Sequence, residues 1–251
     1  MHNTISYLIM GKDELDYFLK ESIKSAEEFV DEIIYIDTGS NDNSIQWITE
    51  NCKNTKVYYY KWPGWERSNK VRNFGISKCS CDYILTLDAD EVLGKDKFKL
   101  KGIIAKYSDV DAFNLQGDHY MFDLTHIDTS VKKHYWLNRL FKNKKALRYP
   151  ENQHGLITPK SNITICGDFI HHYGNCKNMC LALRRYNENA GDKNEWPESQ
   201  KQQREDYLKW QLFCMITRHY PTKIIPLTNH PKTIQEKFHT DDLLIWRNNH
   251  E

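Results

Sequence analysis

Carboxylates gather at two points where an apolar run gives way to polar residues. Asp88-Ala89-Asp90-Glu91 follows the run 83–87, and Asp37 closes the run 32–36. Several carboxylates at one strand end repel each other, and a divalent cation offsets that repulsion. Their hard oxygens suit Mg²⁺ or Mn²⁺, ions that keep some waters and are often shared with phosphates. An Asp-x-Asp triplet alone is equally a solvated acidic turn; its weight comes from its place after a strand, with a second acidic strand end upstream. Thr38-Gly39-Ser40-Asn41-Asp42 reads as a strand-to-helix turn in which Gly39 permits positive φ and the polar residues cap the next helix. Asp37 at its head could also hydrogen-bond a base or ribose. Arg72, in the segment 62–73, is either a surface helix residue or a guanidinium aimed at a diphosphate.

The elements that must position these groups alternate. Residues 5–10, 32–37, 57–61 and 83–87 read as strands. Leu15, Phe18, Leu19, Ile23 and Ala26 recur at helical spacing, a short helix runs through Ile45, Trp47 and Ile48, and 71–79 is helical. Such alternation implies right-handed βαβ crossovers and a mostly parallel sheet, whose ligands bind outside the carboxyl ends of the strands. Beyond Asp90 the pattern loosens to strands at 112–116, 135–141 and 163–165. From about Asn175 it turns helical, with 198–219 as one long helix, and Pro221, Pro226 and Pro231 break up the tail.

Taken in order, 36–42, 72–76 and 84–91 resemble the family 2 glycosyltransferases, inverting nucleotide-sugar enzymes of the GT-A fold. The likeness is closest to the branch with lipopolysaccharide-core glucosyltransferases and peptide S-glycosyltransferases. It is strong over 3–95 and continues more weakly through 139–141, 149–154 and 172–174. The resemblance implies an α/β fold: a Rossmann-like, nucleotide-sugar-binding mixed sheet flanked by helices. It divides the chain into a catalytic domain at 1–174 (donor half 1–95, acceptor half 96–174) and a helical extension at 175–251. It also implies that Asp37, Arg72, Asp88, Ala89 and Asp90 bind the nucleotide sugar. Asp90 would hold Mn²⁺ or Mg²⁺, with Asp88 in the ion's water shell and His172 completing the site. Where family members carry His-Glu, this chain has His154-Gly155. The base that accepts the acceptor's proton is therefore expected at Glu151, with Asp118 and Asp123 as the other nearby carboxylates.

Charge bears on the acceptor. The chain of 251 residues has 35 Lys+Arg and 34 Asp+Glu, a net of +1. Residues 1–138 hold 17 basic and 22 acidic side chains, leaving 18 and 12 for 139–251. A basic run, Lys132, Lys133, Arg139, Lys142, Lys144, Lys145 and Arg148, is either a solvated hairpin face or a surface for an anionic acceptor. A phosphorylated glycan, a lipid-linked glycan or nucleic acid with an extruded base would fit the second reading, and Lys132, Lys133, Arg139 and His154 are the expected acceptor contacts.

Seven cysteines, an odd number, argue against a disulfide framework and for a reducing, cytoplasmic setting, compatible with a membrane periphery. No apolar run is long enough to span a bilayer, and no signal peptide is read at the N-terminus. His171, His172, Cys176 and Cys180 form a permitted zinc set, although their spacing is not that of a standard finger and the two cysteines could share a helix face. Two readings compete with a sugar transferase: a binding module on the same scaffold that has lost catalysis, and an α/β phosphohydrolase using Asp88 or Asp90.

Overall fold

The computed structural model describes residues 3–64, 67–121, 124–130, 132–150, 157–176, 222–224 and 229–237. Its first half is the expected alternation: β1 (Ile5–Gly11), α1 (Leu19–Glu27), β2 (Glu32–Asp37), α2 (Ser44–Asn51), β3 (Thr55–Tyr59), α3 (Ser68–Ile76) and β4 (Tyr83–Asp88). β1 lies between β2 and β4, parallel to both, and β3 continues the parallel set beyond β2. Every residue of β2 is buried, as a strand covered on both faces requires. α1 turns Leu19, Ile23 and Ala26 into one core layer, and α3 sets Val71 and Ile76 against Leu8, Ile34 and Ile36 on the other. Gly75 lets α3 approach closely, since a Cβ there would come within 2.5 Å of Leu8 Cδ1.

The second half is more regular than the sequence pattern suggested. After β5 (Glu91–Leu93), a 3-10 turn at Lys95–Phe98 and α4 (Lys99–Lys106), the chain forms β6 (Ala112–Met121), β7 (His126–Asp128), β8 (His134–Lys142) and β9 (Asn162–Asn175). β6 runs well past Gln116, and β9 has 14 residues where only 163–165 was legible. β8 joins β4 antiparallel and carries β6 into the same sheet; β9 pairs parallel with β6 and antiparallel with β5. The result is the mixed sheet flanked by helices. β10 (Thr222–Ile224) extends the edge at β7, and α5 (Lys232–Lys237) sets Ile234 against a third core cluster of Tyr17, Phe18, Tyr120 and Tyr173.

Within that cluster Tyr173 stacks between Phe18 and Tyr120, 4.6 Å from each, and hydrogen-bonds His230 at 2.8 Å. Residues 177–221, including the expected long helix and Cys180, lie outside the described residues. No helix among the described residues is long and apolar enough to cross a membrane. Cys52, Cys79, Cys81, Cys166 and Cys176 carry free thiols.

Candidate active site

Three neighbouring strands end side by side. In register, Gly11 at the end of β1 pairs with Asp37 of β2, and Met10 pairs with Asp88 of β4. The two acidic strand ends therefore flank the end of β1, one strand to each side. Asp37 is buried and accepts hydrogen bonds from the backbone N–H groups of Gly39 (3.3 Å) and Ser40 (3.0 Å). Gly39 has φ +115°, a conformation costly for other residues, which turns the chain sharply beneath that carboxylate. Asp13 braces the same turn from the β1 side by accepting N–H bonds from Asn41 and Asp42.

Asp88 meets two guanidinium groups. Arg72 of α3 reaches one carboxylate oxygen at 3.3 Å and Arg139 of β8 reaches the other at 3.2 Å. Arg139 also bonds Glu91 at 2.6 Å, and the second Glu91 oxygen accepts the Asp88 N–H at 2.9 Å. Desolvation alone would raise the Asp88 carboxyl, but Arg139 and Arg72 outweigh it and hold that carboxyl well below the usual range. For Glu91 burial is the larger influence and pushes its carboxyl up, with the Asp88 charge adding to the push and Arg139 opposing it. Burial likewise disfavours the Arg139 cation, yet Glu91 and Asp88 more than compensate, so it stays charged. Two carboxyl groups and two guanidinium groups thus form one partly buried network in which Asp88 is the firmly ionised acid.

Asp90 lies beside that network and approaches His172, whose Nε2 is 3.6 Å from its carboxylate, and β9 is clamped to it by the Tyr173 N–H bond to the Asp90 carbonyl at 2.8 Å. Gly174 lets both side chains pack directly against the β9 backbone: a Cβ there would lie 2.7 Å from His172 Nε2 and 2.9 Å from Asp90 Oδ2. One carboxylate and one imidazole side by side are ligand types that suit a divalent ion, whose remaining positions phosphate and water would fill. On the far side of His172 lies His119, with ring centroids 4.4 Å apart. Burial, then the neighbouring His172 and His134, push the His119 imidazole down to about 3.

The expected residues separate into groups. Asp37, Arg72, Asp88, Ala89, Asp90 and His172 come together at the strand ends. Arg139 does not join an exposed basic face; its side chain is 15% exposed and serves the carboxylate network. Asp118 lies on the other face of the sheet. It pairs with His171 in the β6–β9 register, one residue out of phase with His119 and His172, so alternation sends it to the opposite face of the sheet. There it lines a cavity of about 690 Å³ with Lys95, Lys97, Asp168 and His230.

Lys132 and Lys133 are exposed beyond the start of β8. Lys142 and Lys144 sit at the strand's other end and pair with Asp111. The nine residues of β8 keep these groups roughly 30 Å apart, too far for one continuous patch. Glu151, Asp123 and His154 lie outside the described residues. The zinc set at 171–180 does not form around both histidines: adjacent on a strand, they face opposite ways, and His171 is held by Tyr120 (2.8 Å) and by Asp168. Sequence reasoning missed Gly174 and the Glu91–Arg139 pair. Only the Glu91 position, directly after Asp90, carried a local signal.

A family model described as glycosyl transferase family 2 matches residues 13–161, more than half of the chain. The chain is 27% identical over 155 residues to a TPR repeat-containing protein of Synechococcus elongatus, covering 61% of this chain and 35% of that protein. It is 35% identical over 92 residues to an uncharacterized glycosyltransferase of Rickettsia felis, covering 37% and 30%. The chain thus spans about a third of the length of these relatives. Among solved structures, residues 1–349 of S. aureus TarS superpose with a TM-score of 0.51 at 12% identity, over 98% of this chain and 78% of that one. The same protein in complex with UDP-GlcNAc gives 0.51 at 13% identity, over 98% and 79%. At that identity the likeness shows the fold, a mixed α/β sheet of GT-A type. On the extent of the family match, the chain belongs to glycosyl transferase family 2.

Proposed function

We propose that this chain moves a sugar from a nucleoside-diphosphate sugar to an acceptor by direct displacement at the anomeric carbon. The observation that carries this reading is the register of β1, β2 and β4, which sets Asp37 and Asp88-Ala89-Asp90 on either side of one strand end. Asp37 stands where a base or ribose would be received. Arg72 holds Asp88 in place and presents its guanidinium edge to the donor's phosphates. Asp90 and His172 would hold Mn²⁺ or Mg²⁺. When bound, that ion offsets the negative charge that develops on the departing diphosphate. The acceptor hydroxyl's proton goes to a carboxylate on the acceptor side, drawn from Glu151 and Asp123 since Asp118 faces away.

The acceptor is anionic in this reading and meets Lys132 and Lys133, with a phosphorylated or lipid-linked glycan ahead of nucleic acid. The separation of the basic groups along β8 disfavours a long polyanion track. A thermal-shift screen of nucleoside diphosphates and nucleotide sugars with Mn²⁺ tests the donor half. Binding to the folded state raises apparent stability with affinity, and the uridine nucleotides, one of which accompanies the TarS fold, come first. Stabilisation by one nucleotide, lost in Asp90→Ala only for the metal-dependent part, is the expected result. Absence of stabilisation by every nucleotide would refute it. Release of phosphate from simple phosphate esters, without sugar release, would favour the phosphohydrolase instead.

A further inference from the structure

Next to the donor site, on the same face of the sheet, three potential ligands converge. They come from three different strands: His119 of β6, Asp128 of β7 and His134 of β8. Their ligand atoms all lie within 4.8 Å of one another, and His134 Nε2 is 3.2 Å from Asp128 Oδ2.

The convergence follows from register. Tyr120 pairs with Ile127, which sets Asp128 opposite His119. Gly117 pairs with His134, and residues 117 and 119 share a face. Asp128 and His134 are six apart in sequence, yet both flank the same edge of β6 because the intervening residues leave the sheet. In that excursion Thr129, Ser130, Lys132 and Lys133 are exposed. The side chains therefore meet without any of the three strands departing from ordinary pairing.

We propose that His119, Asp128 and His134 form a second metal site, distinct from the Asp90–His172 site, that binds a divalent transition ion of the zinc class. Two imidazoles and one carboxylate are a known three-ligand set for Zn²⁺ and for other first-row ions, and they leave coordination positions open to water or a ligand. Ligands about 2.0–2.1 Å from one ion sit about 3.3 Å from each other in a tetrahedron. The His134–Asp128 separation already meets that spacing, and small side-chain rotations of His119 close the rest. The set also differs in chemistry from its neighbour. Nitrogen-rich ligands select against Mg²⁺, whereas a carboxylate sharing an ion with diphosphate oxygens accepts it. Trp136 lies 6.1 Å from His134, 6.5 Å from His119 and 6.2 Å from His172, setting an apolar ring beside both pairs of ligands.

The test uses tag-free full-length protein, stripped of metal by chelator, and no nucleotide. This keeps it independent of the donor reading. Cobalt(II) is titrated and followed by its visible ligand-field absorption, then displaced with Zn²⁺. One tightly bound Co²⁺ per chain is expected, followed by a weaker event at the Asp90–His172 pair that Asp90→Asn alone removes. Asp128→Asn, which preserves shape, and His134→Ala should each weaken the tight binding by at least about tenfold. Circular dichroism confirms that the variants are folded. Absence of binding by wild type at about millimolar Co²⁺ overturns the proposal. So does loss of the tight binding in Asp90→Asn with retention in Asp128→Asn, since the ion would then occupy the donor site.

Discussion

At the scale of single residues, the site divides its acids by what surrounds them. Asp88 and Glu91 are held by guanidinium groups, whereas Asp90 faces a histidine. The consequences of substitution should differ accordingly. Asp90→Ala contributes little packing and is expected to abolish transfer with the fold intact, read by nucleoside-diphosphate release beside a circular dichroism spectrum. Arg139→Met would strand a buried Glu91 and cost about 3–5 kcal/mol in urea unfolding, as removal of one partner of a buried pair generally does. Lys132→Ala, on an exposed position, should change stability by less than about 0.5 kcal/mol. Gly174→Ala is the subtler probe: its new Cβ would crowd both His172 Nε2 and Asp90 Oδ2. A weakened response to Mn²⁺ with nucleotide, at nearly unchanged melting temperature, is the expected signature.

At the scale of elements, the parallel half was legible because each strand and helix announces itself locally. Runs such as Ile33-Ile34-Tyr35-Ile36 and the Leu19/Ile23/Ala26 spacing need no distant partner to be recognised. β9 was not legible because its polar residues find partners far away in sequence: Asp168 with Asp96, His171 with Tyr120 and His172 with Asp90. Arg139 was misjudged for the same reason. A basic residue in a basic run looks exposed until the β4–β8 pairing brings it under Asp88. Gly117 marks where β6 and β9 touch most closely, since a Cβ there would meet the Ile170 carbonyl oxygen at 1.9 Å. Gly117→Ala should force those strands apart and destabilise by more than about 2 kcal/mol.

The parallel half carries its own acid-sensitive joint. Buried Glu32 accepts bonds from Ser6 (2.6 Å), the Ser80 N–H (2.5 Å) and Lys56 (3.2 Å). Burial would raise its carboxyl, but those hydrogen bonds prevail and lower it from 4.5. The unfolded chain then binds more protons than the folded one below that value. The stability contributed by Glu32 is therefore present above about pH 4.5 and lost as pH falls through its folded value. Glu32→Gln should cost about 1–3 kcal/mol at neutral pH, with the gap to wild type narrowing toward pH 3 in denaturant titrations.

For the whole molecule, the near-zero net charge conceals a division of labour that the fold only partly keeps. The acidic strand ends do gather in the first half, but the second half sends Arg139 back to neutralise them and pairs Lys142 and Lys144 with Asp111. What remains exposed of the basic run among the described residues is split between Lys132 and Lys133 before β8 and Lys144 and Lys145 after it. Ionic strength should then raise the acceptor KM by a modest factor, with the slope of a two- or three-charge contact rather than that of a polyanion track. The excursion that carries Lys132 and Lys133 has one more consequence. Within a strand, inserting a single residue inverts every side chain that follows, so chain length is tightly constrained. A stretch that leaves the sheet between Asp128 and His134 releases that constraint, because odd and even lengths return His134 to the same face. Insertions and deletions should be better tolerated between these two residues than within β6 or β8, which makes this a natural point for the chain to vary in length.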